Sequence, residues 1–380
     1  MGIPPLRLLG DVPVARFMRE HWQRRPLLVR RALPDFAPPV DRTQLLAYAR
    51  SPDAEARLIE QGDGRWRVRH APLTRLPSRR QRGWTVLVQG LDLLDEGAHA
   101  LLQRFRFVPD ARLDDLMASY ATDGGGVGPH TDSYDVFLLQ AFGRRRWRIS
   151  GQRNLRLVEG AALRVLANFR PSAEFILEPG DLLYLPPGVA HDGVAIGECI
   201  TYSIGFRAPS FQELLEPLLA DFATHAGLRG RYEDRGLAPT RHPAALPEAM
   251  LGSLHATLSA PRPRLRDTVR FLLSYLSEPK AQVLFDRPRR APAAAAFRAA
   301  ARRHGVRLDR RTRLLYHRGA FGINGEHGVV AAAQPLVRRL ANARALTPEA
   351  LRDASTVALD LLQRWYCAGW LHFATGHRLA

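Results

Sequence analysis

Two histidines and one aspartate in this sequence have the residue types and the spacing of a metal site. His130 and Asp132 are separated by one residue, and His191 closes the run EPGDLLYLPPGVAH at residues 178–191. If His130 and Asp132 lie on a strand, alternation points both side chains to the same face. Two imidazoles and one carboxylate then make a facial triad, which leaves three adjacent positions on Fe(II) open for a cosubstrate and dioxygen.

The sequence before His191 favours a metal site over a chance match. Alone, a His-x-Asp triplet is weak evidence for a metal site. His130 could be a buried histidine that is satisfied by the backbone, and Asp132 could be a helix cap. Residues 179–181 predict a tight turn, 182–185 a strand and 186–188 its end, which places His191 at a barrel mouth. Catalytic zinc sites can use the same ligands, but the helical His-Glu-x-x-His signature of zinc is missing from the sequence. An open triad on a β-barrel indicates iron.

Arg145 is the candidate for holding an anionic cosubstrate. In the run GRRRWRI at residues 143–149, strand alternation places Arg145, Trp147 and Ile149 on one face and the other arginines on the opposite face. The face with Trp147 and Ile149 should be the buried one, and a buried arginine is costly unless an anion pairs with it. A dicarboxylate cosubstrate would supply that anion. A structural ion pair with an internal Asp or Glu is the alternative, and the residues leave both open.

The surrounding patterns predict an α+β protein. From about residue 115 to 207, short strands are punctuated by glycine and proline, which favours a sandwich or jelly-roll barrel. Ser210 and Glu213 form a capping box that begins a helix containing Pro217. Another helix is predicted over residues 265–276. This middle segment has little apolar surface for a core of its own, which favours helix packing against another chain.

The C-terminal part predicts a winged-helix arrangement, with helices on either side of a small hairpin. Strands are expected at residues 313–316 and 321–326, with Asn324 and Gly325 as a type I′ turn. Thr347 and Pro348 should begin a helix that continues to near Gly369.

Composition indicates a soluble protein in a polyanion-rich environment. The 380 residues carry 55 basic and 37 acidic side chains, a formal net charge of +18. Lys280 is the only lysine, and although codon bias could replace lysine with arginine, it does not explain the basic excess. The charge favours nucleic acid or a ribonucleoprotein as a neighbour, without sequence-specific recognition.

Other features of composition narrow the class of protein further. The length predicts two or three domains. With only Cys199 and Cys367, a disulfide scaffold is not expected. Neither a signal peptide pattern nor an apolar stretch long enough for a membrane span is found, so a cytoplasmic location is expected.

Taken together, the motifs resemble those of bacterial JmjC-type ribosomal oxygenases, arginine hydroxylases that act on a large-subunit ribosomal protein. The resemblance is strong over residues 1–210 and mainly architectural beyond. It implies a double-stranded β-helix of the cupin or JmjC type at residues 1–208, a helical dimerisation segment at 209–286 and a winged-helix domain at 287–380, in a homodimer. The matching segments are HWQRRP at 21–26, GGGVGPHTDSYDVF at 124–137, GRRRWR at 143–148, EPGDLLYLPPG at 178–188 and YSIGFRAP at 202–209.

The same resemblance implies the roles of individual residues. Fe(II) would be held by His130, Asp132 and His191, with 2-oxoglutarate and dioxygen as cosubstrates. The distal carboxylate of 2-oxoglutarate would pair with Arg145. Two further residues are candidates for cosubstrate contacts, Ser119 and Thr201, and relatives can carry asparagine at the position of Thr201. The candidates for contacts to the substrate arginine are Asp123, Tyr134 and Ser203.

The predicted function is therefore Fe(II)- and 2-oxoglutarate-dependent hydroxylation of an arginine side chain in a large-subunit ribosomal protein, in proximity to ribosomal RNA. Two alternatives remain at this point. A histidine hydroxylase or a demethylase could use the same scaffold, and product mass would separate these reactions. The second alternative is a non-catalytic protein that binds RNA or the ribosome, and failure to bind metal would favour it.

Overall fold

The N-terminal part of the chain forms a nine-stranded sheet. A computed structural model describes residues 7–62, 65–233 and 244–374. The strands run in the order β1-β8-β6-β9-β5-β4-β2-β3, with β7 also paired to β6. Their bounds are β1 (Leu27–Val29), β2 (Ala56–Gly62), β3 (Arg65–His70), β4 (Trp84–Val88), β5 (Leu113–Ala121), β6 (Val136–Ser150), β7 (Ala173–Leu177), β8 (Leu182–Leu185) and β9 (Ala190–Phe206).

The long strands β6 and β9 are the main structural elements of the barrel. They pair antiparallel over almost their whole length, from Val136 opposite Gly205 to Ser150 opposite Ala190, with register shifts around Phe142. Such irregularities bend a strand and help a sheet curve. Gly143 lies at this bend with φ +63°, where a Cβ would collide with the Glu198 carbonyl. The predicted jelly-roll barrel is therefore confirmed.

Alternation along β6 separates two cores. Phe137 and Leu139 belong to the larger core, which also contains Phe17, whereas Val136 and Leu138 belong to a smaller cluster with Trp147 and Ile149. The face of Trp147 is the buried one, as the sequence predicted. Four helices accompany the sheet in the N-terminal part: α1 (Val14–Glu20), α2 (Arg42–Arg50), α3 (Leu91–Leu94) and α4 (Glu96–Gln103).

The remaining chain is mostly helical and contains two small sheets, β14-β10-β15 and β11-β12-β13. The described helices are α5 (Phe211–His225), α6 (Glu248–Ser259), α7 (Leu265–Ser277), α8 (Ala294–His304), α9 (Gln334–Ala343), α10 (Pro348–Leu351) and α11 (Thr356–Cys367). The strands are β10 (Val306–Leu308), β11 (Leu314–His317), β12 (Ala320–Ile323), β13 (Glu326–Val329), β14 (Ala345–Leu346) and β15 (Leu371–Phe373).

Two details of the C-terminal prediction are wrong. The Asn324–Gly325 turn exists, with φ values of +48° and +88°, but it joins β12 to β13 instead of closing the hairpin of β11 and β12. The helix expected from Thr347 to Gly369 is two helices, because Ser355 caps a new helix by accepting a hydrogen bond from the Ala358 amide.

The chain divides into two compact units. One comprises the chain up to Ala208 together with Ala281–Leu284, and the other comprises Pro209–Lys280 and the chain from Phe285 onward. The threefold division at residues 208 and 286 stays a prediction. Among the described residues, no helix combines the length and the apolar character needed to cross a bilayer.

Candidate metal centre

His130, Asp132 and His191 converge at one end of the barrel. Ligand atoms of the three side chains all lie within 4.8 Å of one another. Asp132 approaches both imidazoles, with 4.0 Å from Oδ1 to Nε2 of His130 and 3.6 Å from Oδ2 to Nε2 of His191. His191 is buried, whereas His130 and Asp132 are partly accessible. The cluster therefore has a closed side and a side open to ligands.

A bridge between distant parts of the chain creates this geometry. The backbone amides and carbonyls of His130 and His191 exchange two hydrogen bonds, of 2.9 and 2.8 Å. The Asp132 carbonyl accepts a hydrogen bond of 2.8 Å from the Gly188 amide. The expectation that His130 and Asp132 lie on a strand is wrong, since His130 forms only an isolated bridge and β6 begins at Val136. Pairing with β9, and not strand alternation, brings the side chains together.

Both imidazoles are oriented as metal ligands. Nδ1 of His130 is 2.9 Å from the Gly128 carbonyl, and Nδ1 of His191 is 3.0 Å from the Val189 carbonyl. A carbonyl can only accept, so each Nδ1 carries a proton, and in a neutral ring the Nε2 that faces Asp132 is then the nitrogen with the lone pair. Burial, together with the nearby His130, lowers the pKa of His191 to about 4. His191 is therefore neutral at physiological pH, the form that binds metal.

Arg145 lies in the barrel interior with part of its guanidinium unpaired. It is 5% exposed, and its Nη1 donates a 3.1 Å hydrogen bond to Ser119 Oγ. Its buried Nε and Nη2 have no hydrogen-bond partner among the described residues. The guanidinium lies 5.7 Å from the centre of the Trp147 ring, which is itself 5.8 Å from the His191 ring. A buried cation with two unused donors fits an anion beside the metal cluster.

Thr201 and Ser119 lie opposite each other on β9 and β5, and both are buried. Thr201 Oγ1 donates a 3.0 Å hydrogen bond to Oε1 of Gln140. Sequence reasoning missed Gln140, although alternation from Val136 and Leu138 places it on the interior face. An amide within the apolar run of residues 136–142 is the signal that could have identified it.

The three candidates for substrate contact lie in different surroundings. Ser203 is half-buried on β9, two residues from Thr201 and so on the same face. Tyr134 lies beside Gly205 of that face, where a Cβ would be 3.9 Å from its ring. Asp123, by contrast, is engaged by Arg82 at 2.8 Å and by the Gly197 amide at 2.9 Å.

The Asp114 and Asp115 carboxylates near Tyr134 were not identified from the sequence. The pKa of Tyr134 is raised, first by desolvation of its hydroxyl and then by the nearby carboxylates of Asp132, Asp115 and Asp114. The residue nevertheless has 39% of its surface exposed. Asp115 lies on the same side, since a Cβ at Gly205 would be 3.7 Å from its Oδ1. The metal cluster thus adjoins a region of negative charge and a protonated phenol.

Two family models match the chain, a JmjC domain at residues 100–214 and a ROXA-like winged helix at residues 266–372. The solved structure of YcfD, described as a ribosomal oxygenase from Escherichia coli, is 30% identical and superposes with a TM-score of 0.82 over 96% of this chain and 98% of that chain. The chain belongs to the JmjC ribosomal oxygenase family. This membership confirms the resemblance predicted from residues 1–210 and the predicted winged-helix domain.

Relatives in the ribosomal oxygenase family extend the comparison. The ribosomal protein uL16 3-hydroxylase of Escherichia coli is 39% identical over 62% of this chain and 63% of its own length. A probable ribosomal oxygenase of Haemophilus influenzae is 34% identical over 54% of this chain and 52% of its own. These alignments span less than two thirds of each relative. A YcfD structure in complex with cobalt and 2-oxoglutarate is 30% identical, with a TM-score of 0.81 over 94% of this chain and 97% of that chain.

Proposed function

We propose that this protein is an Fe(II)- and 2-oxoglutarate-dependent oxygenase that hydroxylates an arginine side chain of a large-subunit ribosomal protein. The observation that carries the proposal is the position of Arg145 beside the cluster of His130, Asp132 and His191. Arg145 is a buried cation, and two of its donor atoms have no partner in the part of the chain that the structure describes. Family membership and the uL16 hydroxylase relative support the choice of reaction and of substrate class.

The donor set fits iron in the reduced state. His130, Asp132 and His191 would hold the ion, since two neutral imidazoles and one carboxylate suit Fe(II) and leave coordination positions for other ligands. When bound, Fe(II) with 2-oxoglutarate supplies the oxidising power that inserts one atom of dioxygen into a C–H bond, while 2-oxoglutarate becomes succinate and carbon dioxide. The backbone carbonyls that fix Nδ1 of each histidine keep the ligand atoms in place without rearrangement.

The interior polar residues would bind the cosubstrate. Arg145 would pair with the distal carboxylate of 2-oxoglutarate through Nε and Nη2, while Ser119 holds Nη1 and so fixes the plane of the guanidinium. Thr201 is oriented by Gln140 toward the same part of the barrel. Such fixed donors orient a dicarboxylate before reaction, which is the protein's main contribution in cofactor-driven chemistry.

A cationic substrate suits the region beyond the metal cluster. The carboxylate of Asp115 and the phenol of Tyr134 lie together there, and a guanidinium prefers acidic and aromatic partners. Ser203 adds a hydroxyl on the same face. Asp123 is already engaged by Arg82, so binding of substrate there would require exchange of that ion pair.

The proposal includes a homodimer formed through α5 and α6. Neither helix buries any residue within the described part of the chain. Apolar side chains on them are exposed, at 92% for Phe211, 48% for Leu219 and 64% for Leu258. A second copy would cover such a surface. Light scattering should give twice the chain mass, and Leu219→Glu with Leu258→Glu should give one chain mass if these helices form the interface.

The proposal also places the protein in the cytoplasm, close to ribosomal RNA. The formal net charge of +18 would hold it near polyanions at moderate salt.

Turnover with RNA-free large-subunit ribosomal proteins tests the proposed function. The proteins would come from a strain without the oxygenase and would be incubated with purified enzyme, Fe(II) and 2-oxoglutarate. Succinate should form in proportion to substrate, and the Asp132→Ala variant should form none. If succinate formation is accompanied by hydroxylation of a histidine or by loss of methyl groups, the reaction is not arginine hydroxylation. Bound iron with no turnover would instead favour a binding protein.

A further inference from the structure

Two segments of the catalytic unit carry an unusual density of arginine. Residues 65–82 contain seven arginines and no acidic residue, and residues 151–172 contain four arginines and one glutamate. All eleven arginines are exposed. Together they are termed the arginine rim: Arg65, Arg67, Arg69, Arg75, Arg79, Arg80, Arg82, Arg153, Arg156, Arg164 and Arg170.

Both segments border the approach to the metal cluster. Trp66 of β3 packs against Gly128, two residues before His130, since a Cβ at Gly128 would be 3.0 Å from the indole. From the other segment, the Leu166 amide donates a 2.7 Å hydrogen bond to the Pro129 carbonyl, and Val165 also lies 3.0 Å from that Cβ position. Both segments that carry the arginine rim therefore contact the chain that leads into the site.

Most of this charge is not neutralised by the protein. Arg69 pairs with Glu60 at 3.4 Å, and Arg82 pairs with Asp123 at 2.8 Å. The other nine have no ion-pair partner within residues 7–62, 65–233 and 244–374. Protection of the sheet edge explains part of the pattern, because β3 is an edge strand and charges there prevent pairing with another chain. It does not explain the arginines at residues 75–82 and 151–172, which lie outside that strand.

We propose that the arginine rim binds the phosphate backbone of RNA next to the target arginine. This inference rests on the proposed function, because it concerns what accompanies the substrate at the same site. A dense positive surface repels a cationic segment of a ribosomal protein unless a polyanion lies between them. RNA supplies that polyanion, and guanidinium groups match phosphate oxygens in geometry and charge. The rim would thus favour a ribosomal protein already associated with RNA over the free protein.

Matched charge variants test this surface. The rim variant carries Arg65→Gln, Arg67→Gln and Arg80→Gln. The control variant carries Arg24→Gln, Arg31→Gln and Arg104→Gln, three exposed arginines on other segments of the same unit. Both lower the formal charge by three. Binding of a fluorescent 20-nucleotide single-stranded RNA would be measured by anisotropy between about 50 and 200 mM salt.

The rim variant should bind this RNA about tenfold more weakly than the wild type at low salt. Its log–log salt slope should fall by about 0.7 for each phosphate that the variant no longer neutralises, while the control variant should change little. Equal weakening of both variants would contradict the inference, since general charge would then suffice. Binding of polyglutamate as tightly as RNA would assign the rim to acidic proteins instead.

Turnover separates this inference from the proposed function. On RNA-free ribosomal proteins, the rim variant should form succinate at the wild-type rate. On RNA-bearing large-subunit precursor particles, its rate should fall several-fold while the control variant retains the wild-type rate. No turnover by the wild type on either substrate would refute the proposed function. Wild-type turnover with equal rates for both variants on the particles would refute only the role of the rim.

Discussion

Replacement of Arg145 by methionine separates a cosubstrate-binding arginine from a structural one. Methionine keeps an unbranched apolar side chain in the buried position and removes all guanidinium donors. Only Nη1 has a protein partner, the Ser119 hydroxyl at 3.1 Å, whereas Nε and Nη2 have none among the described residues. The main effect of the variant should therefore be weaker binding of an anionic ligand.

The size of this effect can be estimated from those two donors. A hydrogen bond to a charged group contributes about 1.5–3 kcal/mol, so two such bonds to one carboxylate contribute about 3–6 kcal/mol. At about 1.4 kcal/mol per factor of ten, the 2-oxoglutarate concentration for half-maximal rate should rise roughly a hundredfold or more. The half-saturating concentration of the ribosomal protein should change much less. The Arg144→Met variant, on the exposed face of the same strand, is the matched control.

Thermal unfolding without ligands gives the second measurement. Arg145→Met should unfold at the wild-type temperature or above it, because the change removes two buried donor nitrogens, Nε and Nη2, that lack partners among the described residues. Addition of 2-oxoglutarate with an inert divalent metal should stabilise the wild type but not the variant. A structural ion pair would instead cost about 3–5 kcal/mol when one partner is removed. A strongly destabilised variant with an unchanged 2-oxoglutarate requirement would refute the reasoning.

Three further perturbations have definite expected outcomes. Asp132→Ala should abolish succinate formation with an unchanged circular dichroism spectrum, because it removes one of three ligands; retained activity would exclude this metal site. Gly193→Ala should lower the free energy of unfolding in urea by about 1–3 kcal/mol, because its Cβ would lie 2.6 Å from the Trp147 ring; no change would mean that the ring moves freely. Burial opposes ionisation of Asp309, but hydrogen bonds from Arg311 outweigh it and lower the pKa of Asp309. The Asp309 carboxylate therefore stabilises the fold fully above the unfolded carboxyl pKa of 3.8, and this stabilisation is lost as the pH falls. Asp309→Asn should destabilise the C-terminal unit by about 3 kcal/mol at pH 7, and the destabilisation should become progressively smaller in acid. A constant difference down to pH 2 would contradict that linkage.

The parts of the site that the sequence predicted are those controlled by local rules. Strand alternation alone placed Arg145 inward beside Trp147, because β6 is regular at that point. The turn, strand and second turn before His191 were also read from local residue preferences. Residue types and spacing predicted the three candidate metal ligands, and the resemblance to a known family implied the same set.

The remaining features of the site depend on pairing between segments that are distant in sequence, and no local sequence pattern predicts such pairing. His130 is positioned by its bridge to His191, so the expected strand at His130 does not form. Asp115 became recognisable only when the folded barrel placed it beside Gly205 and Tyr134, whereas Gln140 had a local signal in its interior position on β6. In the C-terminal unit, the Asn324–Gly325 turn was identified correctly, but the choice of which strands it joins depends on sheet pairing across the whole unit.

The most direct test of the central claim follows the oxygen atom. Purified enzyme would react with Fe(II), 2-oxoglutarate, RNA-free large-subunit ribosomal proteins and isotopically labelled dioxygen, and tandem mass spectrometry would locate the label. The account predicts one labelled oxygen atom on the side chain of a specific arginine, with succinate formed in equal amount, and neither product with Asp132→Ala. Labelled oxygen on a histidine, or succinate without any labelled ribosomal protein, would contradict it.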